Sequence, residues 1–568
     1  MELELAVFGV AAVLIIVAVA AIAPRLGVAA PILLVLVGIG VGYLPGAPEF
    51  EFPPELILTI VLPPILYSAA VNVPLTDFRR NLRSITGLSV LLVIISAFGS
   101  GLLLFALLPD LNLAAAIALG AVISPPDAVA ATAVGKRLGL PPRLVTVLEG
   151  EGLVNDATAL VMLRSAIAAT AGALSFWGAV GDFVLAVTLA VVIGAVVGAV
   201  TVYLRSKLDS AVLTTAISFT VPFLAYVPTE EVGGSGVLAV VVAGLVTGHA
   251  SASRFSPQDR ISERTNWRTA QLLLENGVFL LMGFELSSLI ESVDGDADGI
   301  GLLHAVAIGL LATLALVIIR VLFVIPLVLS LRSEQRRAEL VAPRVEQFLE
   351  RVTAPGQQTA KPRLVDRARR ASADLAFYRD EGLGWRGGAV LAWSGMRGVV
   401  TLAAAQSLPA DFPYRPQLVL IAFTVAIVTL VVQGGTLPFL IKRLGVTGTD
   451  AEADARELAS LADEVFEVAQ ESLANPDLRR ADGGEYDPEV LEHVQAVAAR
   501  MGRVLAKPTE LGEGAEDAHV QRRELTRILL ENAQLALLDA RSAGSYSSRT
   551  IEQAQLRLDA EALRFGGS

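Results

Sequence analysis

Two short stretches of this chain hold polar groups inside runs of apolar residues. The first is Ser124-Pro125-Pro126-Asp127, set between Ala121-Val122-Ile123 and Ala128-Val129. Two adjacent prolines remove two backbone donors and break a helix. Within a membrane, broken backbone persists where protein encloses it or where it lines a cavity. Such a break frees carbonyls that can bind a cation. It also creates two opposed half-helix dipoles, which Asp127 is placed to help neutralise. The second stretch is Glu149-Gly150-Glu151-Gly152-Leu153-Val154-Asn155-Asp156. Three carboxylates in so short a segment have no packing rationale, and charge inside a span marks function by default. Glu149 is placed near the cytoplasmic end, within reach of solvent. Glu151 and Asn155 are spaced i,i+4 and share a face. Asp156 is turned about 100° further round the helix. Gly152 stands one turn earlier and leaves room beside that carboxylate. Competition between a proton and a cation needs a carboxylate of this kind, in an aqueous cavity and tuned by its surroundings.

Two arginines supply positive charge at similar depth. Arg320 lies within Leu316-Val317-Ile318-Ile319-Arg320-Val321-Leu322-Phe323 and needs an anion there. Arg397 lies within Ser394-Gly395-Met396-Arg397-Gly398, whose glycines predict a second discontinuous helix. Arginine does not give up its proton in proteins, so both read as structural counter-charges and not as proton carriers. Arg164, two turns after Asp156, reads as a residue reaching outward with no assigned role.

These groups need spanning helices to position them. Of the 568 residues 54% are hydrophobic, and they come in long blocks. Thirteen candidate spans follow, at about 3–23, 28–44, 54–71, 84–108, 113–135, 144–170, 176–204, 210–227, 232–249, 267–290, 300–331, 385–408 and 415–441. Helices apolar on every side leave no face for water, which argues against a soluble helical bundle. Loop charge gives a second reading. Basic residues follow every other span, among them Arg25, Arg79, Arg80, Arg83, Lys136, Arg137, Arg143, Arg205, Lys207, Arg254, Arg260, Arg264, Lys442 and Arg443. The intervening loops carry Glu49, Glu51, Asp110, Glu230, Glu231, Glu291, Asp294, Asp296 and Asp298, with Arg415 their single basic residue. The positive-inside rule then puts the N-terminus outside and the C-terminus in the cytoplasm. Glu2 and Glu4 leave Leu3–Ala23 without a basic leader region, so it reads as a retained span and not a signal peptide.

The chain thus reads as an all-α polytopic membrane protein with a transmembrane domain over residues 1–445 and an acidic cytoplasmic helical tail over 446–568. A basic cytoplasmic loop at 332–384 interrupts the first, with helical stretches expected at 334–351 and 364–378. From Asp450 onward 13 Lys/Arg stand against 24 Asp/Glu, so nearly all of the net charge of −12 lies in the tail. That balance argues against nucleic acid as a partner. Leu458, Leu461, Val465 and Val468 recur at helical spacing in the tail, and a second run is expected at about 520–541. Self-association or regulation and a passive helical bundle both remain open for it.

Composition narrows the function classes. The chain has no cysteine, and its histidines, His249, His304, His493 and His519, are scattered. No metal-hydrolase motif and no Ser/His pair on facing spans occurs, so an enzyme is not expected, nor is any cofactor. A channel would need repeated filter residues. A sensor would need an output domain. A solute symporter would need more polar groups for an organic substrate.

Taken together, Ser124-Pro-Pro-Asp127-Ala-Val-Ala, Glu149-Gly-Glu151-Gly-Leu-Val-Asn155-Asp156-Ala and Gly395-Met-Arg397-Gly resemble the sodium/proton exchangers of the NhaP/NHE branch, over about residues 5–445. The resemblance implies two inverted-topology repeats with discontinuous helices, a core domain moving against a dimerisation domain, and a homodimer. It implies that Asp156 carries the ion and the proton and is the site of the transported Na⁺. Asn155 and Asp127 would stabilise the crossing of broken spans 5 and 12, and Glu151 would pair with Arg320. Two positions depart from the family's usual pattern. Gly152 stands where a serine is common. Ser68 in Leu62-Pro63-Pro64-Ile65-Leu66-Tyr67-Ser68 lies in a motif that an acidic residue often follows. Ser124, Ser68 and Gly152 therefore join Asp156, Asn155 and Asp127 as the candidate cation and proton site, with Na⁺ favoured and Li⁺ or K⁺ open. The expected activity is antiport across the plasma membrane. Because Asn155 cannot titrate, one proton per cation, and so electroneutral exchange, is expected. The alternatives are a K⁺/H⁺ antiporter and a cation-coupled solute symporter.

Overall fold

The structure, a computed structural model, describes residues 2–26, 28–44, 53–170, 176–295, 299–353, 362–380, 383–409, 411–446, 451–475, 478–480, 483–504 and 516–566. The loop charges Glu49, Glu51, Asp296 and Asp298 lie outside them, as does Pro476 of the tail. No strand occurs among the described residues. The chain divides into two compact units. One comprises Met1–Ser251, Glu263–Arg332 and Leu383–Gly448, the other Ala252–Ser262, Ser333–Gly382 and Thr449–Ser568.

The first unit follows from the apolar blocks. Nine helices among the described residues are long and apolar enough to cross a membrane, from Val7–Leu26 to Arg415–Leu444. Their outward faces carry large apolar side chains such as Val192, Leu213, Leu322 and Leu329, all exposed, which suits contact with lipid. Nine full-length spans is fewer than the thirteen expected. The shortfall falls where the sequence interrupts itself. Ala30–Gly42, Ile57–Asn72 and Leu113–Ile123 are shorter apolar helices. The expected spans 5 and 12 are each two helices separated by non-helical backbone: Leu113–Ile123 with Val129–Leu138, and Trp385–Trp393 with Val399–Gln406. Pro125-Pro126 and Gly395/Gly398 stand at these breaks. Asn112 caps the start of Leu113–Ile123, its Oδ1 accepting from the amide of Ala115 at 2.7 Å.

Two boundaries differ from expectation. The helix containing Arg320 runs unbroken from Leu302 to Thr353, through the stretch expected to begin a separate loop at 332. The Arg-, Ala- and Glu-rich sequence there favours helix as strongly as the apolar run before it. The next helix is Pro362–Asp380. The helix expected at 267–290 is also longer, Pro257–Asp294. Ser256 and Asp259 fix its start: the Asp259 carboxylate accepts from the Ser256 amide and hydroxyl at 3.1 and 2.7 Å, and Ser256 Oγ accepts from the Asp259 amide at 3.1 Å.

Three arginines read as loop or outward charges have partners instead. Arg205 is fully buried and pairs with Glu263 at 2.7 Å. Arg143 is buried and donates through Nε to Asn81 Oδ1 at 3.0 Å. Arg164 pairs with Glu230.

In the second unit, four helices, Ala451–Leu473, Pro488–Val504, Glu516–Ala543 and Ser548–Gly566, surround their own apolar core. Leu458, Leu461, Val465, Phe466, Ala469 and Leu473 face inward on the first of them. Val468, expected on that face, is 46% exposed. The buried stripe turns toward Phe466 and Ala469, as 3.6-residue periodicity carries it round.

Candidate ion-binding site

The two broken segments meet through their non-helical backbone. The amide of Asp127 donates to the carbonyl of Met396 at 2.6 Å. Each break exposes helix ends, and one charged side chain serves each sign of end. Arg397 Nε donates to the carbonyl of Ile123 at 3.0 Å and a terminal nitrogen donates to that of Ser124 at 3.3 Å. These are the last carbonyls of Leu113–Ile123, where a helix dipole is negative and a buried guanidinium is favourable. Arg397 also donates to the carbonyl of Gly395, and its amide donates to Thr429 Oγ1 at 3.0 Å. At the positive ends stands Asp127. Its Oδ1 accepts from the amide of Val129 at 2.8 Å and so caps Val129–Leu138. Its carboxylate also abuts Gly398, the residue before Val399–Gln406, so closely that a methyl group there would overlap it.

The unbroken helix Pro142–Thr170 packs against this crossing and carries the second polar stretch. Asn155 is fully buried. Its Nδ2 donates to the carbonyl of Pro126 at 2.5 Å, and its Oδ1 accepts no hydrogen bond. Gly152 faces Ala128: a Cβ on Gly152 would lie 2.8 Å from the Ala128 Cβ. The room expected beside Asp156 at this position is thus filled by the broken segment, and Gly152 permits its close approach. Ser124 is buried, with its hydroxyl donating to the carbonyl of Ala121 at 3.0 Å.

Glu151 and Arg320 form a buried bidentate pair, with nitrogen–oxygen distances of 2.5 and 2.8 Å. Arg320 Nε also donates to the carbonyl of Leu391 at 3.1 Å, near the end of Trp385–Trp393. Asp156 is buried and, among the described residues, has neither a hydrogen-bond donor nor a basic partner. Asp127 stands within electrostatic reach of it. Nearby, Glu151 is paired with Arg320 and Asp127 accepts from backbone, whereas Asp156 has no such partner among the described residues.

Ser68 belongs to a different hydrogen-bond chain. Its hydroxyl donates to Gln271 Oε1 at 3.0 Å, and Gln271 Nε2 donates to Glu275 Oε1 at 2.6 Å. Sequence reasoning passed over Gln271 and Glu275, and over Glu285, whose Oε2 accepts from Gln406 Nε2 at 2.7 Å. The signal was present. Glu275 and Glu285 are acids inside the expected span 267–290, the feature that singled out Glu151 and Asp156. Among the described residues no group of three or more His, Cys, Asp or Glu is arranged to hold a metal ion.

Comparison with known proteins places this architecture. Residues 11–443 match the family described as "Sodium/hydrogen exchanger, transmembrane". A Mycobacterium tuberculosis protein named as an uncharacterized Na⁺/H⁺ exchanger is 30% identical, over 85% of this chain and 84% of its own. The Na⁺/H⁺ antiporter ApNhaP of Aphanothece halophytica is 28% identical, over 74% of this chain and 70% of its own. A Bacillus pumilus protein named as a sodium, potassium, lithium and rubidium/H⁺ antiporter is 28% identical, over 73% of this chain and 58% of its own. The solved structure of the sodium proton antiporter MjNhaP1 of Methanocaldococcus jannaschii shares the fold, with a TM-score of 0.56 and 18% identity, covering 78% of this chain and 99% of that one. A family match across the whole membrane-spanning part, with the paired broken helices it contains, establishes that this chain belongs to the transmembrane sodium/hydrogen exchanger family.

Proposed function

We propose that the chain exchanges a monovalent cation, Na⁺ foremost, for H⁺ across the plasma membrane by alternating access at Asp156. The observation that carries this reading is the isolation of Asp156. Glu151 is neutralised by Arg320 and Asp127 is engaged at helix ends, while Asp156 has no fixed partner among the described residues. Asp156 binds one proton or one cation. Each loaded state balances the Asp156 charge and lets the site change sides, whereas the empty carboxylate does not cross. Asn155 Oδ1, buried and without a donor, is the neutral ligand beside it. Because Asn155 cannot titrate, the exchange is one for one and electroneutral. The active unit is a homodimer, with the N-terminus outside and the helical tail in the cytoplasm, as the basic loops indicate.

A K⁺/H⁺ reading has specific support of its own. A relative is named for K⁺ as well as Na⁺.

The test is cation-dependent proton efflux from acid-loaded proteoliposomes with Na⁺, Li⁺ and K⁺. Exchange should vanish in a folded Asp156→Asn protein, and turnover should not respond to membrane voltage. Residual exchange in that variant would sink the assignment of Asp156. Exchange with K⁺ alone would keep the mechanism and change the ion.

A further inference from the structure

Helix Pro257–Asp294 carries a carboxylate that neither the crossing nor the ion pairs account for. Gln271 and Glu275 are spaced i,i+4 and share a face. Gln271 bridges two elements: its Oε1 accepts from Ser68 Oγ at 3.0 Å, and its Nε2 donates to Glu275 Oε1 at 2.6 Å. Ser68 is itself buried, on the helix Leu62–Asn72. The chain Ser68–Gln271–Glu275 fixes one oxygen of the carboxylate and leaves the other, Oε2, without a partner among the described residues.

A half-buried carboxylate in a span is expensive unless a cation is near. Two other deep glutamates in this unit meet that need with arginine, Glu151 with Arg320 and Glu263 with Arg205, while Glu285 accepts from Gln406. Among the described residues Glu275 has no lysine or arginine partner. Its anchor Ser68 lies on Leu62–Asn72, which packs against Pro142–Thr170, the helix that carries Asp156. Asn155, whose Nδ2 bonds the Pro126 carbonyl beside Asp127, has its Oδ1 buried without a donor among the described residues. Arginine serves the negative helix ends at Ile123 and Leu391, whereas Asp156 and Glu275 have no basic partner among the described residues. A mobile cation or a proton can supply the missing positive charge.

We propose that Glu275, oriented by Gln271 and Ser68, is a second cation-coordinating residue on the transport route and sets the apparent affinity for the transported monovalent ion. This rests on the antiport reading. The carboxylate oxygen left open by Gln271 binds the ion with part of its water shell, and the proton exchanged for it is carried by Asp156. Ser68 and Gln271 are positioning residues that hold Glu275 toward the route.

The experiment compares wild type, Glu275→Gln, and Glu275→Gln combined with Ser68→Asp in proteoliposomes, measuring KM and kcat for Na⁺, Li⁺ and K⁺. Glu275→Gln keeps the shape and the bond to Gln271 but loses the charge. It should raise the cation KM by roughly tenfold with kcat within about twofold. Returning a carboxylate from the facing element, at position 68, should restore most of the lost affinity. A second readout needs no transport: the Na⁺ concentration that raises the thermal midpoint should shift upward in Glu275→Gln and return in the double variant. An unchanged KM in Glu275→Gln, or lower kcat and stability at unchanged KM, would overturn the role of Glu275 and leave the antiport reading standing. A wild-type protein that exchanges none of the three ions would overturn both.

Discussion

Asn155 Nδ2 lies 2.5 Å from the carbonyl oxygen of Pro126, so the residue preceding Asp156 is tied to the backbone immediately before Asp127. One side chain thereby couples the unbroken helix Pro142–Thr170 to the break in the fifth expected span. The remaining oxygen of the amide is buried with nothing donating to it among the described residues.

That arrangement predicts different outcomes for two substitutions. Asn155→Ala orphans the Pro126 carbonyl and should cost about 1–3 kcal/mol in stability, with a clear loss of exchange. Asn155→Asp conserves size but turns the donor facing Pro126 into an acceptor and places a charge next to Asp156. It should be at least as damaging as alanine. Thermal melts and exchange assays on the two variants check this; an aspartate variant as stable and active as wild type would show that the bond to Pro126 is dispensable.

Glu151 and Arg320 predict a cycle. Both are almost wholly buried, so removing either leaves an uncompensated charge, and Glu151→Gln or Arg320→Gln should each destabilise by ~3–5 kcal/mol. The double variant should recover part of that loss. Recovery should be incomplete, because Arg320 Nε also serves the carbonyl of Leu391. Melting of the single and double variants in detergent measures the coupling, and simple additivity would contradict it.

Much of this site is legible in sequence because a membrane makes polar residues conspicuous. Pro125, Pro126, Asp127, Glu151, Asn155, Asp156, Arg320 and Arg397 all stand out against apolar surroundings. The partners of Arg397 were not legible. It pairs with carbonyls of Ile123 and Ser124, and every residue has a carbonyl, so composition carries no mark of which ones. The buried pair of Arg205 and Glu263 was hidden for another reason. Both fall near expected helix ends, where loop charge and buried charge look alike until the longer helix Pro257–Asp294 draws Glu263 inward. The two breaks were legible in Pro125-Pro126 and in Gly395 and Gly398, but the exact helix ends on either side were not, since an apolar run does not mark where helix gives way.

Two glycines at the crossing make a graded prediction. Gly398 has no space for a methyl group, because the Asp127 carboxylate occupies it, and Asp127 is held at Val129 and Met396. Gly398→Ala should abolish exchange. At Gly152 the obstacle is the Ala128 Cβ, 2.8 Å from the added carbon, on backbone that is non-helical and better able to shift. Gly152→Ala should reduce exchange without abolishing it. Transport assays on both, normalised to folded protein, test the order; equal activity would place the crossing elsewhere.

The tail offers a prediction about pH. Tyr546 packs against the tail core and its hydroxyl donates to Glu464. Burial, with the bond to the Glu464 carboxylate, pushes this phenol up to about 12. A phenol of raised pKa contributes stability fully below its unfolded value, roughly 10, and loses it as pH rises through the folded value. Tyr546→Phe should therefore weaken the tail by about 0.5–1.5 kcal/mol at neutral pH, and the difference from wild type should shrink between about pH 10 and 12. Hydrogen exchange across Ala451–Leu473 and Ser548–Gly566 in the full-length protein reads the effect.

Arg260 and Asp559 set the last prediction. Arg260 Nε donates to Asp559 Oδ2 at 3.1 Å, a second nitrogen bonds Oδ1, and NH1 donates to the carbonyl of Phe255 at 2.6 Å. The pair is largely buried and bidentate, the geometry in which an ion pair fixes position most firmly. It holds the final helix, Ser548–Gly566, to the segment Ala252–Ser262 within the same compact unit. Asp559→Asn keeps shape but loses charge and one acceptor. Leaving Arg260 without its anion should cost about 3–5 kcal/mol locally. Amide exchange should then speed up in Ser548–Gly566 and in 252–262 together, with Leu458–Ala469 unchanged. Arg260→Gln should give the same pattern. Faster exchange in one of the two segments alone would show that they are held by other contacts.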